Sequence, residues 1–353
     1  MVRYNYYMKN KYLIRMAISM VGAVILFMFV VNNSWMYKSP VAKVLAVHNN
    51  GNKQSIELRL ENGSDKGKTV YVKNNYDKSQ VYDERYFKHD YVFLNDEYTG
   101  ITGIKRDYWV AAIFLFLLSS LITIGGKRGT YTSLCILGNI ALFGIIIYMN
   151  MRGVDILYMT IAGTVIFTFF VLLVVDGLSH RMMLSFAAAL LTTLLLSSLV
   201  MLLIWHTDID YDFLHFLPEP FTTTDANHFF LAQIIIGCLG AVIDVSVTIT
   251  AACMELIERT PSISNKSLLR SVREVADDIN GTMISVVLLT NIASTLPIFL
   301  ISMSNEISFR TVVSHDAYFY IVRSLTGMLS IVVAILVSTF ITSLVARKEL
   351  KHD

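Results

Sequence analysis

One carboxylate, Asp244, stands in the middle of the apolar run GCLGAVIDVSVTITAACMEL, residues 237–256. At helical spacing Gly237, Gly240, Ala241, Asp244, Thr248, Ala251, Ala252 and Glu255 fall on one stripe, and all but the two acids are small. A stripe of small residues lets a second helix approach closely inside a membrane. The carboxylate is therefore expected to face another helix or a wet cleft rather than lipid. An acid at hydrocarbon depth costs at least about 2.5–3.5 kcal/mol and marks a proton or ion path by default. The competing reading is structural: a buried Asp hydrogen-bonded to Ser or Thr that holds two helices in register.

A second polar group follows in DDINGTMISVVLLTNIASTLP, where Asp278, Gly281 and Thr282 open an apolar stretch and Asn291 lies within it. With Thr248, these residues are expected to line the same proton or substrate path as Asp244. The Asn291 amide has the reach to hydrogen-bond across to a carboxylic acid, and Gly237, Gly240 and Gly281 are expected to be helix-packing glycines. Arg323 shares a helical face with Asp316, Tyr320 and Gly327. It is expected to pair with Asp316 or to extend its charged head towards the membrane surface.

Asp208, Asp210, Asp212 and Glu219 have the spacing of a calcium loop, but Phe213 occupies the position where such a loop needs glycine. A solvated segment is the expectation there, and the alternative is a looser cation-attracting rim with His206, His215 and His228 nearby. Asn62-Gly63-Ser64 has the form of a glycosylation acceptor. Cys135, Cys238 and Cys253 all fall inside apolar segments, in no disulfide or zinc spacing. No cofactor is expected.

The elements that must position these residues follow from composition. The chain has 353 residues, 54% hydrophobic and 16% charged, against about 25% charged in soluble domains, and its mean hydropathy is +0.55. An integral membrane protein is the default; a net charge of +2 says nothing about nucleic acid, no long basic run points to it, and no nucleic-acid partner is expected. Eight stretches reach the roughly 20 apolar residues that cross the lipid bilayer: about 12–31, 108–126, 130–149, 154–176, 183–205, 228–254, 280–303 and 317–345. The first is expected to remain as an anchor, since NNSWMYKSP offers no cleavage site.

Lys and Arg concentrate on alternate connections, which predicts both termini in the cytoplasm. Residues 33–107 then lie outside. KVLAVHNN, SIELRLEN and KTVYVKNN alternate apolar and polar residues between turns, which predicts a small β-barrel or β-sandwich of four to six strands. Residues 108–353 form a seven-helix domain. Within it Ser264 is expected to cap an amphipathic cytoplasmic helix near 264–277, whose apolar side carries Leu268, Leu269, Val272 and Val275.

The stretch GCLGAVIDV, then DINGTM and the later Asn291, resembles the YibE/F family of bacterial membrane proteins. The matching residues are Gly237, Gly240, Ala241, Asp244 and Val245, then Asp278, Ile279, Gly281, Thr282 and Met283. That resemblance implies residence in the bacterial cytoplasmic membrane and a paralogous YibF-like membrane partner or a homo-oligomer. It implies no specific activity.

The order of anchor helix, external domain and mid-membrane Asp is also similar to resistance-nodulation-division pumps, which use such an Asp for proton coupling. The external domain here is far smaller. Two function classes follow: a transporter or proton-coupled subunit that moves a small ion or proton through Asp244, and a scaffold whose β domain binds another protein. An enzyme is not expected. The chain has no paired-aspartate protease motif, no His-Glu-x-x-His and no glycine-flanked nucleophilic serine.

Overall fold

The computed structural model describes residues 2–77, 83–206, 223–314 and 318–349. The chain divides into two compact units, Met1–Ser133 and Leu134–Asp353.

The first unit opens with helix α1 (Val2–Val31) and a short 3-10 turn at Ser34–Met36. Five strands follow: β1 (Val41–Asn50), β2 (Lys53–Leu60), β3 (Thr69–Asn75), β4 (Tyr91–Leu94) and β5 (Ile101–Ile104). They form one antiparallel sheet in the order β3-β2-β1-β4-β5. The expected barrel or sandwich is not what forms. β3 and β5 are left as edges, and the described residues contain no second sheet to pack against. The reason is length, because β4 and β5 have four residues each and the chain enters a helix directly after them.

The alternation itself reads correctly. Gln54, Ile56, Leu58 and Leu60 of β2 point inward while Lys53, Ser55 and Arg59 point out. Val44, Ile56, Leu58, Val72, Val92 and Leu94 make a core closed over by Tyr86. Gly51, at φ +62, begins the two-residue turn that pairs Asn50 with Lys53. A hairpin of that length needs positive φ at its first central residue, which glycine supplies without strain.

Two buried amides of this domain are bonded throughout. Asn62 accepts from Val41 N at 2.7 Å and donates to the Tyr37 and Ser39 carbonyls at 3.1 and 2.9 Å. The glycosylation acceptor seen in the sequence is therefore closed inside the folded domain. Gln54 accepts from Tyr86 N and Asn74 Nδ2 and donates to Asn49 Oδ1 and the Tyr86 carbonyl.

Lys105, 1% exposed, is the residue the sequence did not flag. Its Nζ donates to the Val30 carbonyl at 2.5 Å and lies 3.0 Å from Asp107 Oδ1, with the ring centroids of Tyr37 and Tyr108 at 5.6 and 5.5 Å. Tyr37 Oη donates to the other Asp107 oxygen. Burial and the Asp107 carboxylate push the Tyr37 hydroxyl pKa upward.

Helix α2 (Asp107–Met151) breaks at Gly126, with φ 56 and ψ −125. Ser133 Oγ donates to the Leu118 carbonyl at 3.4 Å, although fifteen residues of straight helix would separate them by about 22 Å. A Cβ on Gly129 would lie 1.9 Å from the Leu121 carbonyl oxygen. The chain thus doubles back where two separate stretches, 108–126 and 130–149, are read in the sequence.

The second unit holds α3 (Ile156–Asp176), α4 (His180–His206), α5 (Thr223–Arg259), α6 (Asn265–Ser304), the short α7 (Phe309–Ser314) and α8 (Tyr318–Glu349). Among the described residues, six helices are long and apolar enough to cross a membrane. Helix α5 is central, packing on α3, α4, α6 and α8. Its Phe230, Ile234, Val242, Val245, Ile249 and Cys253 join Met182, Ala189, Ile331 and Ala334 in the core. All three cysteines are free and buried.

Ser264 caps α6 as expected, its Oγ accepting from Ser267 N at 3.1 Å. The amphipathic segment is no separate helix, because it continues without a break to Ser304. Of its predicted apolar side, Leu268 and Val272 are buried whereas Leu269 is exposed.

Candidate functional site

The stripe carrying Asp244 is the one face of α5 that its neighbours leave uncovered. Gln233, Gly237, Gly240 and Asp244 are exposed and Thr248 is half-buried. The bulky residues around the rest of the helix do the packing, so the expectation that the small stripe meets another helix is not met within this chain. A Cβ placed on Gly237, Gly240 or Gly281 would touch nothing within 4 Å.

The glycines that do pack helices lie elsewhere. Gly138 is pressed against the Phe170 ring, where a Cβ would come within 2.5 Å, and Gly327 lies against Val287, at 3.1 Å. Gly138 had the right signal, a small residue inside an apolar stretch. Spacing alone does not separate it from Gly240.

No hydrogen bond or ion pair to the Asp244 carboxylate occurs among the described residues, and its backbone carbonyl accepts from Thr248 Oγ1 at 2.9 Å. On α6, Asp278, Gly281 and Thr282 are likewise exposed. Thr282 Oγ1 donates to the Ile279 carbonyl at 3.0 Å, so it is turned to its own helix.

Asn291 does not bond to Asp244. Its Nδ2 donates to the Val287 carbonyl at 2.8 Å and its Oδ1 accepts from Arg323 Nε at 3.1 Å. The Arg323 guanidinium also lies over the Tyr320 ring at 5.4 Å. Asn291 and Arg323 thus belong together, a pairing the separate sequence motifs did not suggest. Asp316, the expected partner of Arg323, lies outside the described residues, as do Asp208, Asp210, Asp212 and Glu219. Among the described residues no cluster of three or more His, Cys, Asp or Glu could hold a metal.

One further pair escaped the sequence reading. Asp155 caps α3 by accepting from Leu157 N at 2.7 Å, and its second oxygen lies 2.6 Å from His228 Nδ1 at the start of α5. These residues, 73 apart in the chain, fix the starts of two core helices to each other.

An open antiparallel sheet after a first helix, followed by long apolar helices packed around a central one, defines a polytopic helical membrane protein. The chain belongs to the YibE/F family: the YibE/F-like protein model matches residues 112–348 and the YibE/F family N-terminal domain matches residues 35–106. No curated protein and no solved structure matches it.

Proposed function

We propose that this chain is a proton-coupled transport subunit that works against a second membrane-protein chain, with Asp244 at the seam between them. In this reading it crosses the bacterial cytoplasmic membrane eight times, counting α1 and both halves of α2. Both termini are cytoplasmic and the β domain is outside. The second chain is a copy of itself or a YibF-like paralogue.

The observation that carries this reading is the exposure of Asp244 midway along the most buried helix, flanked by glycines with open space in front of them. A lone carboxylate in contact with lipid costs several kcal/mol. Glycines that meet nothing in their own chain allow the close approach that would cover it. Asp278 and Thr282, exposed on α6, supply further polar groups for the same face.

The test is charge movement in reconstituted vesicles after a pH jump, with wild type and Asp244→Asn compared at equal insertion. A wild-type current that disappears in the variant supports proton coupling through Asp244. Equal currents end that role. Gly240→Leu is expected to reduce association between chains, read by crosslinking in the membrane, while leaving the single chain folded. If association survives Gly240→Leu unchanged, the seam lies elsewhere.

A further inference from the structure

We propose that the cleft around Arg323 binds an anionic amphiphile, meaning a carboxylate or phosphate head on an apolar tail. The cleft has a volume of about 550 Å³, within the range of roughly 300–1,000 Å³ typical of small-molecule sites. Its walls come mainly from α5, α6 and α8, with Phe143 of α2 and Ile156 of α3, in the half of the helical unit away from the connection between α5 and α6. This inference does not depend on titration of Asp244.

The head group follows from the guanidinium. Arg323 is the single Lys or Arg between Tyr318 and Val345, and it is half-buried. Of its five N–H donors, Nε is taken by Asn291 Oδ1. Asn291 is itself oriented, because its Nδ2 is bound to the Val287 carbonyl. The Tyr320 ring lies against the guanidinium. Asn and Tyr hold its plane without neutralising it, and among the described residues no carboxylate pairs with it.

No acidic residue lines the cleft. The two Nη groups are thus left to an oxyanion, which a guanidinium binds with two parallel hydrogen bonds. An isolated charge in an apolar helix is costly, and a bound anion offsets that cost.

The tail follows from the walls. Phe229, Ile236 and Val286 make most of the lining apolar, with Gln233 and Thr290 the polar additions beside Asn291. An inorganic anion would leave these walls unfilled, and a neutral amphiphile would leave the guanidinium unpaired. The chemistry therefore calls for both parts in one molecule, supplied by a diffusing solute or by an anionic lipid.

The experiment is a fluorescence titration of the full-length protein in detergent with dansylated undecanoate, displaced by decanoate, octyl phosphate or decanol. Decanoate and octyl phosphate are expected to displace the probe and decanol is not. Arg323→Gln should weaken probe binding at least about tenfold, since it removes a charge-assisted pair of hydrogen bonds. Arg323→Lys, which keeps the charge and loses the fork, should weaken it less. Thr290→Phe fills the cleft and should weaken binding while Arg323 remains, which keeps the test decisive if Arg323→Gln does not fold.

Equal binding by wild type, Arg323→Lys and Thr290→Phe overturns the proposal, as does equal displacement by decanol and decanoate. Repeating the titration in nanodiscs assigns the source. Loss of probe binding on replacing phosphatidylcholine with phosphatidylglycerol points to the lipid headgroup, and retention points to a diffusing solute.

Discussion

The β domain and the helical unit treat their polar groups in opposite ways. In the β domain, Asn62 and Gln54 are buried and are hydrogen-bonded inside the domain. In the helical unit, Asp244 is exposed on α5 and Asp278 and Thr282 are exposed on α6. Of the apolar window of α5, 61% is buried, against 6% for α6. A domain surrounded by water must satisfy its own interior, because a buried unbonded polar group costs about 1–3 kcal/mol. A bundle in a membrane can leave a face to another chain, since lipid gives apolar helices no reason to close on themselves. The contrast separates a domain that bonds these buried groups internally from a helical unit that leaves polar residues exposed on α5 and α6.

The largest effect is expected where the first unit buries a charge. Lys105→Ala removes the lysine donor from the Val30 carbonyl and from one Asp107 oxygen, the other keeping Tyr37, and should cost about 3 kcal/mol, the low end for a broken buried pair, because Asp107 is partly exposed. Hydrogen exchange over β1–β5 in the full-length protein should show the sheet opening more readily. Unchanged protection would mean that the ion pair is not integral to the domain. Asn62→Ala removes three hydrogen bonds at once and should cost the same strands about 1–3 kcal/mol, read by the same exchange.

The two classes of glycine sharpen the comparison inside the helical unit. Gly138→Ala forces the Phe170 ring to move and should destabilise by about 1–3 kcal/mol, as overpacking does. Gly240→Ala meets open space and should gain roughly 0.5–1 kcal/mol from better helix propensity. Thermal melts of the two variants in detergent should therefore shift in opposite directions. Shifts of the same sign would show that Gly240 is already packed.

The smallest effect is a pH dependence at the surface of the sheet. The hydrogen bond and charge of Lys68 hold the Asp65 carboxyl below its usual range. Because the folded value is depressed, this contribution is complete above the unfolded carboxyl's pKa and is lost as pH falls through the folded one. An acid titration should show less loss in Asp65→Asn than in wild type. A greater loss in the variant would mean that the pair opposes folding.

The sequence by itself determined the element types, the strand alternation, the Ser264 cap and the family. These depend on local periodicity and on residues close together in the chain, such as the run from Gly237 to Asp244. It also picked out Asp244, Asn291 and Arg323 as the unusual groups at depth. What it could not assign was their partners.

Asn291 was read as able to hydrogen-bond across to a carboxylic acid and is bonded to Arg323, since helical periodicity tells which residues share a face and not which helix that face meets. The same limit hid Lys105, which in the string IKRD looks like part of a solvated turn. Only the tertiary structure decided that it is buried against two tyrosine rings, and that the small stripe of α5 points away from its own bundle. Both outcomes depend on packing between segments distant in sequence, where side-chain volume and available neighbours, rather than spacing, choose the contact.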